Sequence, residues 1–379
     1  MSSVGLGICS LIIAFSIYYG FRNAIEEKIM THAAHLQLER FSITNSREEM
    51  PVSVKDLHIY QDADTIVGIK QIQRYAHKWG LLKTDSEVSG VLIKGIGAEY
   101  DTLRLHNALV AGRLPNIYEE KVGREVLISQ RMARKMQLKV NDKIILYFIQ
   151  EPPRARRLTI SGIYNTGLEE FDDLLAIADI RTIQQINNWE DDMVGGLEIF
   201  VDDFEYLDEY ASMLRDEVDL NLLMGKITYN YAHFFNWFEM MRQNVFVLII
   251  IILFVVIFNI ASILLILIME RVRLIGSLKA MGAKNWQIQK VFIFNGMRMT
   301  LKGLFWGNIV GILFCILQTH FELVPLDPET YYIDHVPVIM KWSTIFWLNA
   351  LLFGCISASL LIPTAIVGGI KPIKSIKFS

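Results

Sequence analysis

The sequence predicts an α-helical membrane domain of four transmembrane helices plus a large α+β extracytoplasmic domain inserted between helices 1 and 2. Three observations predict it. Hydrophobic residues make up 52% of the 379 and mean hydropathy is +0.32, high for a soluble chain of this length. The apolar residues concentrate in four runs. Charge is divided as well: residues 1–242 carry 26 Lys and Arg against 35 Asp and Glu, whereas residues 243–379 carry 11 against 5.

The first run, residues 1–21 (MSSVGLGICSLIIAFSIYYGF), has no formal charge. A cleaved signal peptide opens on a basic stretch and ends at an A-x-A site, and neither is present, so the run predicts transmembrane helix 1. Ala24, Ile25 and Ile29 fall at helical spacing and extend a helix into residues 22–40. The second run, Val245 to Met269, has Asn259 as its only strongly polar member. Its 25 residues rise about 37 Å as a helix, enough for a hydrocarbon core of roughly 30 Å. Helix 2 is assigned to residues 243–269, helix 3 to 291–319 and helix 4 to 344–370. Pro363 and the Gly368-Gly369 pair kink or end the last of these. Cys9, Cys315 and Cys355 all fall inside the runs, where they read as small packed hydrophobes without disulfide or metal spacing.

Charge sets the orientation. The 270–290 stretch has Arg271, Arg273, Lys279, Lys284 and Lys290 against Glu270, and the 371–379 tail has Lys371, Lys374 and Lys377 with no acid. The 320–343 loop has Glu322, Asp327, Glu329 and Asp334 against Lys341. The positive-inside rule places 270–290 and the tail in the cytoplasm, and 320–343 with the large 22–242 domain outside. Residues 1–242 and 243–379 together sum to the net charge of −3; membrane lipids are expected partners, and no nucleic acid is.

Within 22–242, Glu125 to Ile128 reads as a strand, with Ser129 capping a helix over Gln130 to Met136. Asn141-Asp142 supplies a turn before a strand at Lys143 to Ile149, and Arg157 to Ile163 alternates as another. Leu197 to Val201 is a strand followed by a helix over Phe204 to Val218. Between the two central strands, Pro152 and Pro153 favour an extended prong bearing Arg154, Arg156 and Arg157, a candidate for docking a partner as well as a plain charged hairpin tip.

Catalytic motifs are missing. There is no H-E-x-x-H, G-x-S-x-G or P-loop, and Gly225-Lys226-Ile227 lacks both the first glycine and the hydroxyl of the last. His32 and His35 have i, i+3 spacing, but no acid or further histidine accompanies them, so a solvated helix face is expected rather than a metal site. Glu169-Glu170 and Asp172-Asp173 read as a solvated loop. No catalytic residue, metal or cofactor is expected in this chain.

The layout of one span, a large outer domain and three further spans accompanies a specific stretch, "ERVRLIGSLKAMGA" (270–283). It resembles the E-R-x-x-x-I-G-x-x-K-A-x-G-A pattern of the MacB/FtsX-type ABC transporter permeases. "AGRLP" (111–115), "EVLISQRMARKMQLKVNDKI" (125–144) and "RRLTISGIYNTGLEEFDDLLA" (156–176) support the resemblance, and "LVPLDPETYYIDHVPV" (323–338) resembles the outer loop of the lipoprotein-releasing LolC/LolE branch.

The resemblance implies an inner-membrane permease subunit whose outer domain is periplasmic and MacB-like. ATP and Mg are then bound by a separate, LolD-like ATP-binding subunit, and a second copy or a paralogous permease completes the complex. It implies a lipoprotein substrate released towards a periplasmic carrier. The alternative on the same scaffold is a mechanotransmission permease, an exporter or cell-wall-hydrolase regulator with no lipoprotein substrate. Residues 270–290 become a coupling helix, with Glu270, Arg271, Arg273, Ile275, Gly276, Leu278, Lys279, Met281 and Gly282 as coupling residues. Ile275, Leu278 and Ala280 to Met281 are expected in a groove of the ATPase, and Arg271, Arg273 and Lys279 at its acidic rim or among lipid phosphates. Phe246, Phe254 and Phe258 are candidates for an acyl-chain path. Three features depart from the family, the first being a tail that keeps Pro363 and the basic Pro-x-K-x-I ending but lacks the double arginine common after that proline. The 150–157 prong is shorter than the carrier-docking hook of LolC-type subunits, and residues 1–21 hold no counterpart of the family's cytosolic interfacial segment.

Overall fold

The computed structural model describes residues 2–40, 49–61, 66–84, 87–118, 122–215, 218 and 221–369. The basic tail at 371–379 lies outside the described residues. The chain divides into two units, Met1–Ala24 with Asn236–Ser379, and Ile25–Phe235.

The longer helices are α1 (Ser2–Ile29), α2 (Gln130–Lys135), α3 (Ile180–Asn187), α4 (Leu207–Arg215), α5 (Ala232–Glu270), α6 (Val272–Ala280), α7 (Asn285–Phe321), α8 (Trp342–Ser359) and α9 (Leu361–Gly369). Among the described residues, four helical stretches are long and apolar enough to cross a membrane: α1, α5, α7 and Trp342–Ala365. The last is interrupted at Leu360, three residues before Pro363, whose ring and missing N–H disfavour an unbroken helix.

In the helical unit, glycines set the closest approach. Gly5 faces Gly303 and Gly307, and Gly311 faces Cys9, so α1 and α7 meet along a stripe of small residues. A side chain at Gly307 would overlap the Gly5 backbone. Small-residue stripes are how membrane helices gain van der Waals contact in the absence of a hydrophobic driving force. Val4, Ile8, Leu11 and Ile12 of α1, the Val256-Ile260-Leu264-Ile268 seam of α5 and Leu348, Leu352 and Ile356 of α8 fill the core. Asn308 of α7 and Asn349 of α8 exchange side-chain hydrogen bonds at 2.7 and 2.9 Å.

In the Ile25–Phe235 unit, the strands are β1 (Leu36–Arg40), β2 (Val52–Ser53), β3 (Ile69–Lys83), β4 (Val88–Ile96), β5 (Leu109–Gly112), β6 (Glu125–Ser129), β7 (Lys143–Phe148), β8 (Arg154–Tyr164), β9 (Leu175–Asp179), β10 (Met193–Val194), β11 (Gly196–Val201) and β12 (Leu222–Lys226). The main sheet runs β12-β1-β11-β3-β4-β9-β6-β8-β5, and β7 pairs with both β3 and β8. The end of β3, Leu81 to Lys83, thus pairs on both edges, with β4 and with β7. The ladders β3-β4-β9-β6-β8-β7 therefore close into a six-stranded ring, which removes open edges there. Inward residues Leu82, Ile93, Ile128, Leu146, Phe148 and Ile160 form one cluster with Met132 of α2 and Ile183 of α3.

Local signals read from the sequence reappear. Ser129 accepts from Met132 N at 3.0 Å to cap α2, and Asp203 accepts from Glu205 N at 2.9 Å ahead of α4. Two expectations fail. The helix expected through 22–40 stops at Ile29, and Leu36–Arg40 is a strand paired on both edges, to β11 and β12. Those two ladders override local helical spacing. The helix expected over Phe204 to Val218 opens as a 3₁₀ turn at Phe204–Tyr206 and continues as α4 to Arg215.

Candidate functional site

The basic segment after α5 folds as a helix, a stop and a restart. At the end of α6, Gly282 sits at φ +95°, a conformation glycine adopts without a Cβ penalty. Its N–H donates to Lys279 O and the Ala283 N–H to Leu278 O, both at 3.0 Å. This is the Schellman pattern that satisfies terminal helix carbonyls. The Gln287 side chain then accepts from Lys284 N at 2.9 Å to open α7.

The faces of α6 differ from the expectation. Ile275 and Gly276 are buried and Leu278 is half-buried; Ile275 and Leu278 belong to the apolar cluster of the chain's own helical core, which also holds Ile288 and Phe292 of α7. A partner's groove therefore cannot hold Ile275 or Leu278 without unpacking α6. The outward apolar side chains are Leu274, Met281 and Trp286, with Arg271, Arg273 and Gly282 exposed beside them. Leu274 and Trp286 are missing from the sequence-based set. The signal that could have found Leu274 is its i, i+7 relation to Met281; nothing in the sequence marks Trp286 as exposed.

At the other end of α7, the outer loop forms a strap. Leu326 N donates to Asp334 O at 2.8 Å and Val336 N to Val324 O at 3.1 Å, making a small hairpin. Buried Gln318 holds its base: its amide N donates to Val336 O at 3.0 Å and its amide O accepts from Val324 N at 3.2 Å. The returning strand lies on α1. Ile339 N donates to Ser16 O at 3.0 Å, the Lys341 ammonium sits 4.4 Å from the Tyr19 ring centre, and any Cβ at Gly20 would overlap the Pro337 carbonyl. A glycine at position 20 is the condition for this seating.

Phe246, Phe254 and Phe258 all face away from the unit's own core, each more than 60% exposed, and the last two rings are 5.5 Å apart. Only 17% of the apolar stretch of α5 is buried, against half of that of α1. Within the helical unit, the 270–282 stretch and this aromatic face lie on different helices, α6 and α5.

The prong is a hairpin tip between β7 and β8, which pair from Lys143↔Thr159 to Phe148↔Arg154. It is not free-standing. Arg154 donates to Gln185 O at 2.8 Å, Ile186 O at 2.7 Å and Asn188 Oδ1 at 2.9 Å, capping the C-terminus of α3. Pro152 and Pro153 remain exposed. Arg156 and Arg157 line an open cleft of about 910 Å³ with Arg124, Thr182 and Gln185.

His32 and His35 are not on a solvated helix face. They follow the end of α1, and His32 is buried between the rings of Tyr164 and Phe171, 5.1 and 5.0 Å away. Burial, with the nearby Lys94 cation, pushes its pKa down to about 3. Burial, with Arg104 and Lys70, pushes His35 down to about 4. Asp172 is likewise buried instead of solvated: its carboxylate accepts from Thr166 Oγ1 at 2.8 Å and from Gly167 N at 2.9 Å, organising the turn before β9. Burial raises its pKa. Among the described residues no cluster of three or more His, Cys, Asp or Glu is placed to hold a metal.

Comparison with known proteins follows this division of the chain. Residues 1–228 match the MacB-like periplasmic core domain, and residues 246–372 match the FtsX-like permease C-terminal family. Lipoprotein-releasing system transmembrane protein LolE of Haemophilus influenzae is 22% identical over 360 residues, covering 89% of this chain and 84% of that protein. LolC of Neisseria meningitidis is 19% identical over 396 residues, covering 100% and 93%. The crystal structure of the periplasmic region of MacB from Actinobacillus actinomycetemcomitans aligns at 12% identity and TM-score 0.38, covering 55% of this chain and 96% of that one.

Proposed function

This chain belongs to the MacB/FtsX-type family of ABC transporter permeases, and we propose that it releases lipoproteins from the inner membrane towards a periplasmic carrier. It is a multi-pass inner-membrane protein with a periplasmic domain. In this reading that domain is inserted between the first and second spans. ATP and Mg belong to a separate ATP-binding subunit, and a second copy or paralogous permease completes the transporter. The observation that carries the cargo is the end-to-end alignment with proteins named for lipoprotein release, over 89% and 100% of the chain.

The geometry supports a division of labour. The outward face of α6 and the turn after it, Leu274, Met281, Gly282 and Trp286 with Arg271 and Arg273 beside them, suits a shallow groove with an acidic rim on a cytosolic ATPase. Glu270 and Lys279 flank that face. Ile275 and Leu278 then pass force inward to the helical core, since they belong to its apolar cluster, with buried Gly276 between them. Phe246, Phe254 and Phe258 offer an apolar surface for acyl chains, whose exposure to water costs about 0.8 kcal/mol per CH₂. With Arg154 engaged inside the domain, a carrier would meet the exposed Pro152-Pro153 tip and the Arg156 and Arg157 cleft.

The test is release in reconstituted vesicles. The chain is purified with its ATPase and any paralogue, a triacylated lipoprotein is co-reconstituted, and release to a soluble carrier is followed on ATP addition. ATP-dependent release is expected. ATP turnover that responds to a periplasmic partner, with every lipoprotein left in the vesicles, would replace this reading with mechanotransmission alone.

A further inference from the structure

A wholly buried ion pair in the Ile25–Phe235 unit has no part in cargo handling as described above. Lys94 of β4 and Glu198 of β11 lie on either side of β3, both side chains at 0% exposure, with Nζ 2.6 Å from Oε1. The ammonium also donates to the His32 carbonyl at 2.6 Å and sits 5.2 Å from the Tyr100 ring centre. The other Glu198 oxygen accepts from Gln73 Nε2 at 3.0 Å, and Gln73 Oε1 accepts from Asp101 N at 3.2 Å. Buried pairs recover little of their desolvation cost, and apolar residues of similar volume often serve stability as well or better. Such a pair is therefore better understood by what it attaches.

It attaches directly the stretch leaving α1, to which the stretch leading into α5 is bonded in turn. In the stretch leaving α1, Thr31 O accepts from Tyr100 Oη at 3.2 Å, His32 O accepts from Lys94, and His35 O accepts from Ile227 N at 3.0 Å. Ile227 opens the stretch that runs into α5. Further along it, the Tyr231 ring is 5.3 Å from Phe171, which packs on His32. Phe235 stacks on Phe204 at 5.7 Å, and Phe204 lies 5.5 Å from His35. Both stretches thus gather around one cation and the sheet that holds it.

We propose that Lys94 is a tie: by gripping the His32 carbonyl and Glu198 together, it makes the two membrane-entering stretches move with the β11-β3-β4 sheet as one piece. Lys94 is a positioning residue, with no contact to cargo. The proposal rests on the transport reading only for the force that moves the helices.

The test uses the full chain in lipid nanodiscs, with Lys94→Met/Glu198→Leu removing both charges at similar volume. The tie predicts an unchanged melting temperature, amide exchange at residues 32–36 and 227–231 faster by at least tenfold, and unchanged exchange in β6 and β8. Equal exchange in variant and wild type overturns it. Should the double variant fail to fold, Lys94→Leu/Glu198→Gln, which removes the ammonium that grips the His32 carbonyl while keeping an acceptor for Gln73, gives the same comparison. In vesicles with the ATPase, lipoprotein released per ATP should fall at least fivefold at unchanged ATP turnover; an unchanged ratio overturns the coupling role. A wild type that releases no lipoprotein refutes the transport reading, and the exchange measurement still decides the tie.

Discussion

Two buried histidines give the periplasmic unit a pH dependence with a definite sign. His32 and His35 are neutral in the fold, with pKa values depressed to about 3 and about 4, while the unfolded chain takes up their protons near pH 6.5. Stability from each is fully present above 6.5 and is lost as pH falls towards the folded value. The slope approaches about 1.4 kcal/mol per pH unit for each histidine. Melting of the full chain followed by tryptophan fluorescence should therefore shift steeply downward between pH 7 and pH 5. His32→Phe should flatten that shift by roughly the share of one proton, whatever it does to the melting temperature at pH 7.5. An unaltered slope would mean that another group dominates acid unfolding. None of this was legible in the sequence, because an i, i+3 pair looks the same on a wet helix as in a buried connector. The deciding partners, Lys94, Tyr164 and Phe171, lie 62 to 139 positions away from His32.

At the scale of elements, α6 shows how far a motif reaches. The 270–283 pattern located the helix and its glycine stop, since capping chemistry is local, but not which face is free. That is set by the apolar cluster it joins, built from helices far along the chain as well as from Ile288 and Phe292 beyond the turn. Two opposite predictions separate the faces. Met281→Asp with Trp286→Ala should leave expression and melting unchanged and cut copurification of the ATPase at least tenfold. Ile275→Asp should cost about 3 kcal/mol or more by placing an unpaired charge in an apolar core, visible as lost folded yield before any binding is measured. Equal loss of ATPase binding at full yield in both would show that the inward face reaches the partner after all. The outer strap gives an element-scale prediction of its own. Gly20→Val should overlap the Pro337 carbonyl and lift the strap from α1, so a cysteine placed at Ile339 should become reactive to a membrane-impermeant maleimide. An equally protected cysteine in the variant would sink this account. Helices and hairpins were readable in advance wherever their signals sit within a few residues. The ring closure of β3 with β7 was not, because it joins residues more than 60 positions apart by backbone bonds that carry no residue code.

For the whole molecule, the open question is what the poorly buried α5 faces. An exposed apolar helix in a bilayer has no hydrophobic penalty, since lipid tails are as apolar as leucine, so exposure alone does not separate a cargo path from ordinary lipid contact. The two differ in their dependence on ATP. A sixteen-carbon acyl chain carries a water-exposure cost of about 12 kcal/mol, so cargo must stay shielded until nucleotide turnover changes the path, whereas annular lipid exchanges regardless of nucleotide. Phe305 on α7 is the control, as exposed as Phe254 and equally apolar. With a photoreactive residue at position 254, adducts to a photo-silent, radiolabelled lipoprotein should be abundant without nucleotide and fall at least fivefold during ATP turnover. Those at position 305 should be sparse and insensitive to ATP. Equal, ATP-independent labelling at both sites would assign the α5 aromatics to the lipid boundary and move the cargo path elsewhere. Labelling at 254 that falls with ATP in the Met281→Asp/Trp286→Ala variant as well would separate cargo movement from the α6 face, and coupling would then have to enter through another cytosolic contact.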